Sequence, residues 1–133
     1  MAEKKVICDT DVMIDYFDES NSRHIRTASI LEKEIKLDNI VLTAVTKMEL
    51  LLGATNKNDL SKIVKEINRF NIALINDEIS IKALELVQKY SLSHGLRLPD
   101  SLIAATSLVS GLELFTHNRK DYIFIDRIVL YKN

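Results

Sequence analysis

Short apolar runs alternate with longer stretches of helical spacing along the whole chain, and this rhythm restricts the fold more than any other feature. Residues 5–8 (Lys5, Val6, Ile7, Cys8) read as a buried strand, and 39–42, 72–75, 112–115 and 123–125 as further strands. Between them lie helical patterns over 12–17, 22–37, 44–54 and from Leu60 to about Phe70. A later helix, capped by Asp77, turns Ile79, Ala83, Leu86, Val87 and Tyr90 inward. Another opens at Pro99-Asp100 and stops at Gly111. Only three glycines and one proline interrupt the chain, so long loops are few. Strand–helix alternation of this kind predicts an α/β fold: a mainly parallel sheet of four to five strands, covered by helices on both faces. The 133 residues suit one domain, 1–133, with enough chain for one core.

Composition narrows the function classes. Hydrophobic residues make up 47% and argue against disorder. Eighteen basic and nineteen acidic residues leave a net charge of −1, which excludes a polybasic coat and restricts any nucleic-acid contact to local patches. The single cysteine, Cys8, lies in an apolar run, cannot form an intrachain disulfide, and points to a reducing compartment. The charged start (Glu3, Lys4, Lys5) is unlike a signal peptide, and no stretch is apolar enough to span a membrane. A soluble, cytoplasmic protein with no membrane partner is expected.

In a parallel sheet, strand exits and the following helix starts share one edge, where ligands bind. Asp9 follows the first strand, Glu49 lies one turn into the helix after the second, and Asn118 and Asp121 follow the fourth. Asp100 joins them if its helix begins at the same edge. Two carboxylates about 5 Å apart repel by roughly 3 kcal/mol at an effective dielectric of about 20. A hard divalent cation relieves that repulsion, and Mg²⁺ or Mn²⁺ suits one or two carboxylates plus waters and phosphates. Each residue also has a purely structural use. Asp9 could close a turn, Glu49 completes a capping-box spacing with Thr46, Asp100 could cap its helix, and Asp121 could cap a turn or lie in solvent. Residue types and spacing alone leave both readings open.

Three segments in order resemble the PIN-domain ribonucleases, most closely the small VapC-type toxins of type II toxin–antitoxin pairs. The first runs Val6-Ile7-Cys8-Asp9-Thr10-Asp11-Val12-Met13-Ile14-Asp15. The second is Thr46-Lys47-Met48-Glu49-Leu50-Leu51-Leu52-Gly53. The third runs from Leu98-Pro99-Asp100-Ser101 through Gly111 to Thr116-His117-Asn118-Arg119-Lys120-Asp121-Tyr122. The resemblance implies a three-layer α/β/α sandwich and cleavage of RNA assisted by Mg²⁺ or Mn²⁺. It implies an acidic triad of Asp9, Glu49 and Asp100 gathered around metal. A fourth position, usually Asp or Asn, falls on Asn118, and Asp121 matches an acidic residue that precedes an aromatic. Thr10 and Thr116 match small hydroxyl positions that orient carboxylates or bind phosphate. Asp11 stands where Asn or Ser is commoner. A cognate antitoxin and a homodimer are implied partners, with exposed apolar residues around Met48, Leu51, Leu52 and Ile63 as candidate contacts.

Arg97, Arg119 and Lys120 flank the site segments and are candidate substrate contacts, with Lys57, Lys62, Lys65 and Arg69 as an alternative RNA track. His117 reads as a loop histidine beside Asn118. Other functions remain in competition at this point. A PIN-like module that binds RNA or protein without catalysis fits if Asn118 disables the site. A haloacid-dehalogenase-type phosphatase shares Asp9-Thr10-Asp11 but lacks the expected later lysine motif. A receiver domain lacks its lysine after the fifth strand.

Overall fold

The structure is a computed structural model that describes residues 4–132; Glu3 of the charged amino-terminal segment lies outside them. Four strands, β1 (Val6–Cys8), β2 (Ile40–Thr43), β3 (Asn71–Ala73) and β4 (Glu113–Phe115), form one sheet in the order β3-β2-β1-β4. Every pairing in it is parallel. Six α-helices make the crossovers: α1 (Thr10–Phe17), α2 (His24–Ser29), α3 (Ala44–Leu52), α4 (Lys57–Ile67), α5 (Asp77–His94) and α6 (Leu98–Ser110). The chain moves outward from β1 to β2 to β3, then returns through α5 and α6 to β4 on the other side of β1. The order therefore reverses at β1, between β2 and β4.

Strand side chains alternate between two cores, as the two-residue strand period requires. Ile7, Val41 and Leu114 face a cluster with Ile79, Ala83, Leu86 and Tyr90 of α5 and Ile103, Ala104 and Ala105 of α6. Val6, Cys8, Ile40, Leu42 and Phe115 face the opposite cluster, with Val12 and Met13 of α1, Leu50 of α3 and Ile67 of α4. The result is the expected three-layer sandwich. Cys8 is fully buried, so it packs as a small hydrophobe.

Four boundaries differ from the sequence reading. Residues 123–125 are not a strand: the chain turns there, with Ile125 N–H donating to the Tyr122 carbonyl at 2.9 Å. Tyr122, 1% exposed, draws this segment inward, and Leu130 instead makes a single parallel bridge to Leu114. The helix expected over 22–37 is two pieces. After α2 it widens into a π-helical segment (Ile30–Ile35) that buries Ile30, Leu31 and Ile35, and it ends at Lys36 with φ 75°. The third strand ends at Ala73, leaving Leu74 and Ile75 exposed. Asn76, not Asp77, caps α5, accepting from Ile79 N–H at 2.9 Å. Gly111 ends α6 as expected, at φ 74°, a conformation that favours glycine. No helix among the described residues is long and apolar enough to cross a membrane.

Ile7 is fully buried in the central strand. Ile7→Ala should lower the unfolding free energy by about 2–5 kcal/mol in urea denaturation. A loss under about 1 kcal/mol would mean that this core does not depend on β1.

Candidate active site

The carboxyl ends of β1 and β4 meet because their registers pair Cys8 with Phe115. Asp9 and Thr116, the next residue on each strand, therefore lie side by side. Asp9 N–H donates to the Phe115 carbonyl at 2.9 Å, and the Thr116 hydroxyl donates to Asp9 Oδ2 at 2.8 Å. Asp9 Oδ1 accepts from Thr10 N–H at 2.8 Å, capping α1. The structural and chemical uses of Asp9 thus coexist.

Glu49 arrives from α3. Thr43 caps that helix by accepting from Thr46 N–H at 3.1 Å, so the expected Thr46–Glu49 capping box does not form. Thr46 instead lies inside the helix, 3.0 Å from the Thr10 hydroxyl, which is 2.7 Å from Glu49 Oε1. A hydroxyl has one proton. Thr10 gives its proton to the nearer, charged Glu49, and Thr46 donates to Thr10. This chain of hydroxyls ties Glu49 to Thr10, the residue after Asp9.

Asp100 lies in the first turn of α6, where Arg97, not Asp100, is the capping residue. The Tyr122 hydroxyl donates to Asp100 Oδ1 at 3.2 Å and lies near enough to Asp9 for both carboxylates to hold its proton on. Arg97 Nε lies 3.5 Å from Asp100 Oδ2. A small hollow of about 110 Å³ borders Asp100 and is lined also by Arg97, Lys120 and Asp121. Asn118 is exposed, and its N–H donates to the Thr116 hydroxyl at 3.0 Å. Arg119 is turned away, donating to the Tyr131 carbonyl at 3.2 Å.

The electrostatics reflect crowded negative charge. Burial first, then the neighbouring Asp11, push Asp9 from 3.8 up to about 6, against the pull of Thr116 and Thr10. Burial also raises Asp100, opposed by Arg97 and Tyr122. Burial and both carboxylates push Tyr122 far up, so its hydroxyl keeps its proton and remains a donor. Asp11 is raised by burial, and its Oδ1 is buried without a hydrogen-bond partner.

The donor set is hard oxygen: carboxylates of Asp9, Asp100 and Glu49, with hydroxyls around them. That chemistry fits Mg²⁺ or Mn²⁺, which needs only one or two carboxylates alongside waters. Among the described residues, however, no three acidic, histidine or cysteine side chains converge as a ready-made cage. Asp9 and Asp100 come near each other and Tyr122, while Glu49 is tied to Thr10 and, among the described residues, does not join them as a third converging carboxylate.

The PIN domain family model matches residues 6–127. The chain belongs to the PIN domain family. It is 27% identical to Ribonuclease VapC1 of Methanocaldococcus jannaschii over 124 residues, covering 90% of this chain and 80% of that one. A toxin–antitoxin complex from Klebsiella pneumoniae contains a chain 27% identical, with TM-score 0.74, covering 97% of this chain and all of that one. VapBC-1 from nontypeable Haemophilus influenzae shares the fold at 21% identity and TM-score 0.72, with 96% of each chain covered.

Two features of this PIN domain escape a reading by spacing. Asp15 lies 3% exposed on α1, and His117 turns toward it rather than toward Asp100. Asp15 could have been noticed as the acidic residue four places after Asp11 in an otherwise apolar helix. The direction of His117 had no such signal.

Asp9 also sets a pH dependence. Its folded value lies above its unfolded one, so ionising it costs the fold. The cost is absent below pH 4, grows between pH 4 and 6, and is complete above that. In EDTA, Asp9→Asn should therefore gain on the wild type by about 1–3 kcal/mol as pH rises from 4 to 7. Parallel stability profiles for the two proteins would show that Asp9 ionises without penalty.

Proposed function

We propose that this chain, acting as one PIN unit over 1–133, is a divalent-cation-dependent endoribonuclease and the toxin of a toxin–antitoxin pair. The observation that supports the reading is the mutual nearness of Asp9, Asp100 and Tyr122, whose hydroxyl donates to Asp100, with Glu49 bonded to Thr10, the residue after Asp9. Membership of the PIN family and the likeness to Ribonuclease VapC1 support RNA as the substrate.

Asp9 and Asp100 would hold Mg²⁺ or Mn²⁺, which supplies Lewis acidity for the scissile phosphate and acidifies water. The chain's own groups do the rest. Thr116 and Thr10 N–H fix both oxygens of Asp9, so its carboxylate does not swing. Tyr122, locked in its protonated form, orients Asp100. Glu49, held by Thr10, takes the proton of the attacking water. Asn118 at the mouth offers an uncharged amide to the substrate, and Asp121 adds negative charge beside Asp100. Arg97 and Lys120 on the rim guide the phosphate backbone toward an otherwise acidic site.

An antitoxin would seat an apolar segment in the groove lined by Ile14, Phe17, Leu50, Gly53 and Ile63. That groove, about 340 Å³, borders Glu49, so its occupant blocks the site. Met48 and Leu52 stand exposed on the adjoining α3, at 54% and 84%, and extend the apolar surface available to the antitoxin or to a second copy in a homodimer. As part of the same proposal, the chain works in the cytoplasm.

Asp9→Asn and Asp100→Asn should each lower Mg²⁺-dependent cleavage of RNA by at least about a hundredfold while the folded state persists in circular dichroism. Full activity in either variant would remove that residue from the site. Among the described residues no three such ligands converge, which favours one rival, a PIN module that binds without cutting. Protein that binds RNA yet neither binds Mn²⁺ in calorimetry nor cleaves would establish that rival.

A further inference from the structure

Behind the acidic site lies a second polar cluster that the proposed chemistry does not use. Asp15, 3% exposed, directs its carboxylate away from Asp9 and into the junction of α1, α2 and the loop after β4. Its Oδ1 accepts from Asn21 Nδ2 at 2.8 Å. Its Oδ2 lies 3.2 Å from Arg23 Nε and 3.2 Å from His117 Nε2. The same ring nitrogen is 3.2 Å from the Thr27 hydroxyl, which is itself fully buried. Asp15 Oδ2 is buried without a hydrogen-bond partner, so it meets Arg23 and His117 as close polar contacts, and the hydrogen bond of Nε2 is to the Thr27 hydroxyl. The ring also packs edge-on against Phe115 of β4, with centroids 5.4 Å apart. Finally, His117 N–H donates to Asp11 Oδ2 at 3.1 Å.

Residue 117 is thus gripped by both main chain and side chain, from two helices. Its neighbours do the opposite: Thr116 holds Asp9, and Asn118 stands at the mouth. A loop held at its middle residue cannot rotate its flanking residues independently. An apolar side chain at position 15 would avoid the cost of burying a carboxylate. The carboxylate provides what an apolar group cannot, a negative charge 3.2 Å from both His117 Nε2 and Arg23 Nε, with its other oxygen tied to Asn21.

We propose that Asp15 and His117 are positioning residues, a clamp that locks the 116–118 loop so that Thr116 stays on Asp9 and Asn118 stays at the mouth. The clamp touches neither substrate nor reacting atoms. It rests on the nuclease reading of the neighbouring site for its catalytic consequence, but not for its existence.

The test uses the full chain with His117→Ala, His117→Gln and Asp15→Asn. The glutamine amide can place an N–H donor near the position of Nε2, so it is the conservative variant. With a single-site oligoribonucleotide and saturating Mn²⁺, His117→Ala and Asp15→Asn should lower kcat by about 10- to 100-fold. KM should stay within about threefold, because uniform binding is untouched. His117→Gln should recover kcat to within about fivefold of wild type. Amide NMR spectra of the metal-free proteins give a second readout. Signals of residues 9, 10, 116 and 118 should shift or broaden in His117→Ala and return in His117→Gln. Wild-type kcat in both disruptive variants overturns the clamp, as does a glutamine variant no better than alanine. If His117→Ala fails to fold, the near-isosteric Asp15→Asn decides alone by the same kcat and amide criteria. If the wild type cuts no RNA, the nuclease reading fails, and the amides judge the clamp: perturbation and recovery support it, and unchanged spectra overturn it.

Discussion

The parallel pairing of β1 with β4 is the constraint from which the site follows. It sets Cys8 opposite Phe115 and so sets Asp9 beside Thr116 at the point where the strand order reverses. A hydroxyl from one strand exit then satisfies a carboxylate from the other at 2.8 Å. The two residues are 107 positions apart, so only closure of the whole sheet brings them together. Slipping the register by one residue would break that bond and would also turn Leu114 and Phe115 to the wrong cores. The core and the site are therefore specified by the same register.

Negative charge is the second organising force. Asp11 and Asp100 both raise Asp9, and Asp121 raises Asp100. The chain manages this with short neutral donors rather than with buried cations. Thr10, Thr46, Thr116 and Tyr122 each present a hydroxyl to a carboxylate or to the hydroxyl that binds one. Such donors lower the cost of the charge but do not cancel it, as the upward displacement of Asp9 shows. An uncancelled charge at a strand exit has affinity to spend on a cation, whereas a full complement of lysines would have spent it internally.

Much of this was readable in the residues. The alternation of Val6, Ile7 and Cys8 with a following helix, repeated along the chain, defines the layers because burial on both sheet faces leaves little choice. Asp9, Glu49 and Asp100 could be singled out because each follows or opens an element at one sheet edge. What failed were the inferences that depend on how side chains share space. Residues 123–125 look like a strand by apolarity, but burial of Tyr122 under two carboxylates curls the chain there. Thr46 looks like a cap by spacing, but Thr43 reaches the free N–H first. Each of these is a competition between partners far apart in sequence, and local pattern carries no record of which partner wins.

Positions 11 and 118 set where negative charge stands in this site. The exposed mouth carries the neutral amide Asn118, and the half-buried base carries Asp11. The two places are linked through a single residue, since His117 N–H is the donor that holds Asp11 and the next residue is Asn118. A charge at the mouth would face solvent, where ions screen it, and would repel an approaching phosphate backbone. A charge at the base sits in poorer solvent, and after burial it is the largest influence raising Asp9. Charge at the base and none on Asn118 therefore ease access for a polyanion while deepening the negative potential around Asp9. The loop that carries both effects is the one that Asp15 and His117 hold in place, which ties the electrostatics of the site to the rigidity of its wall.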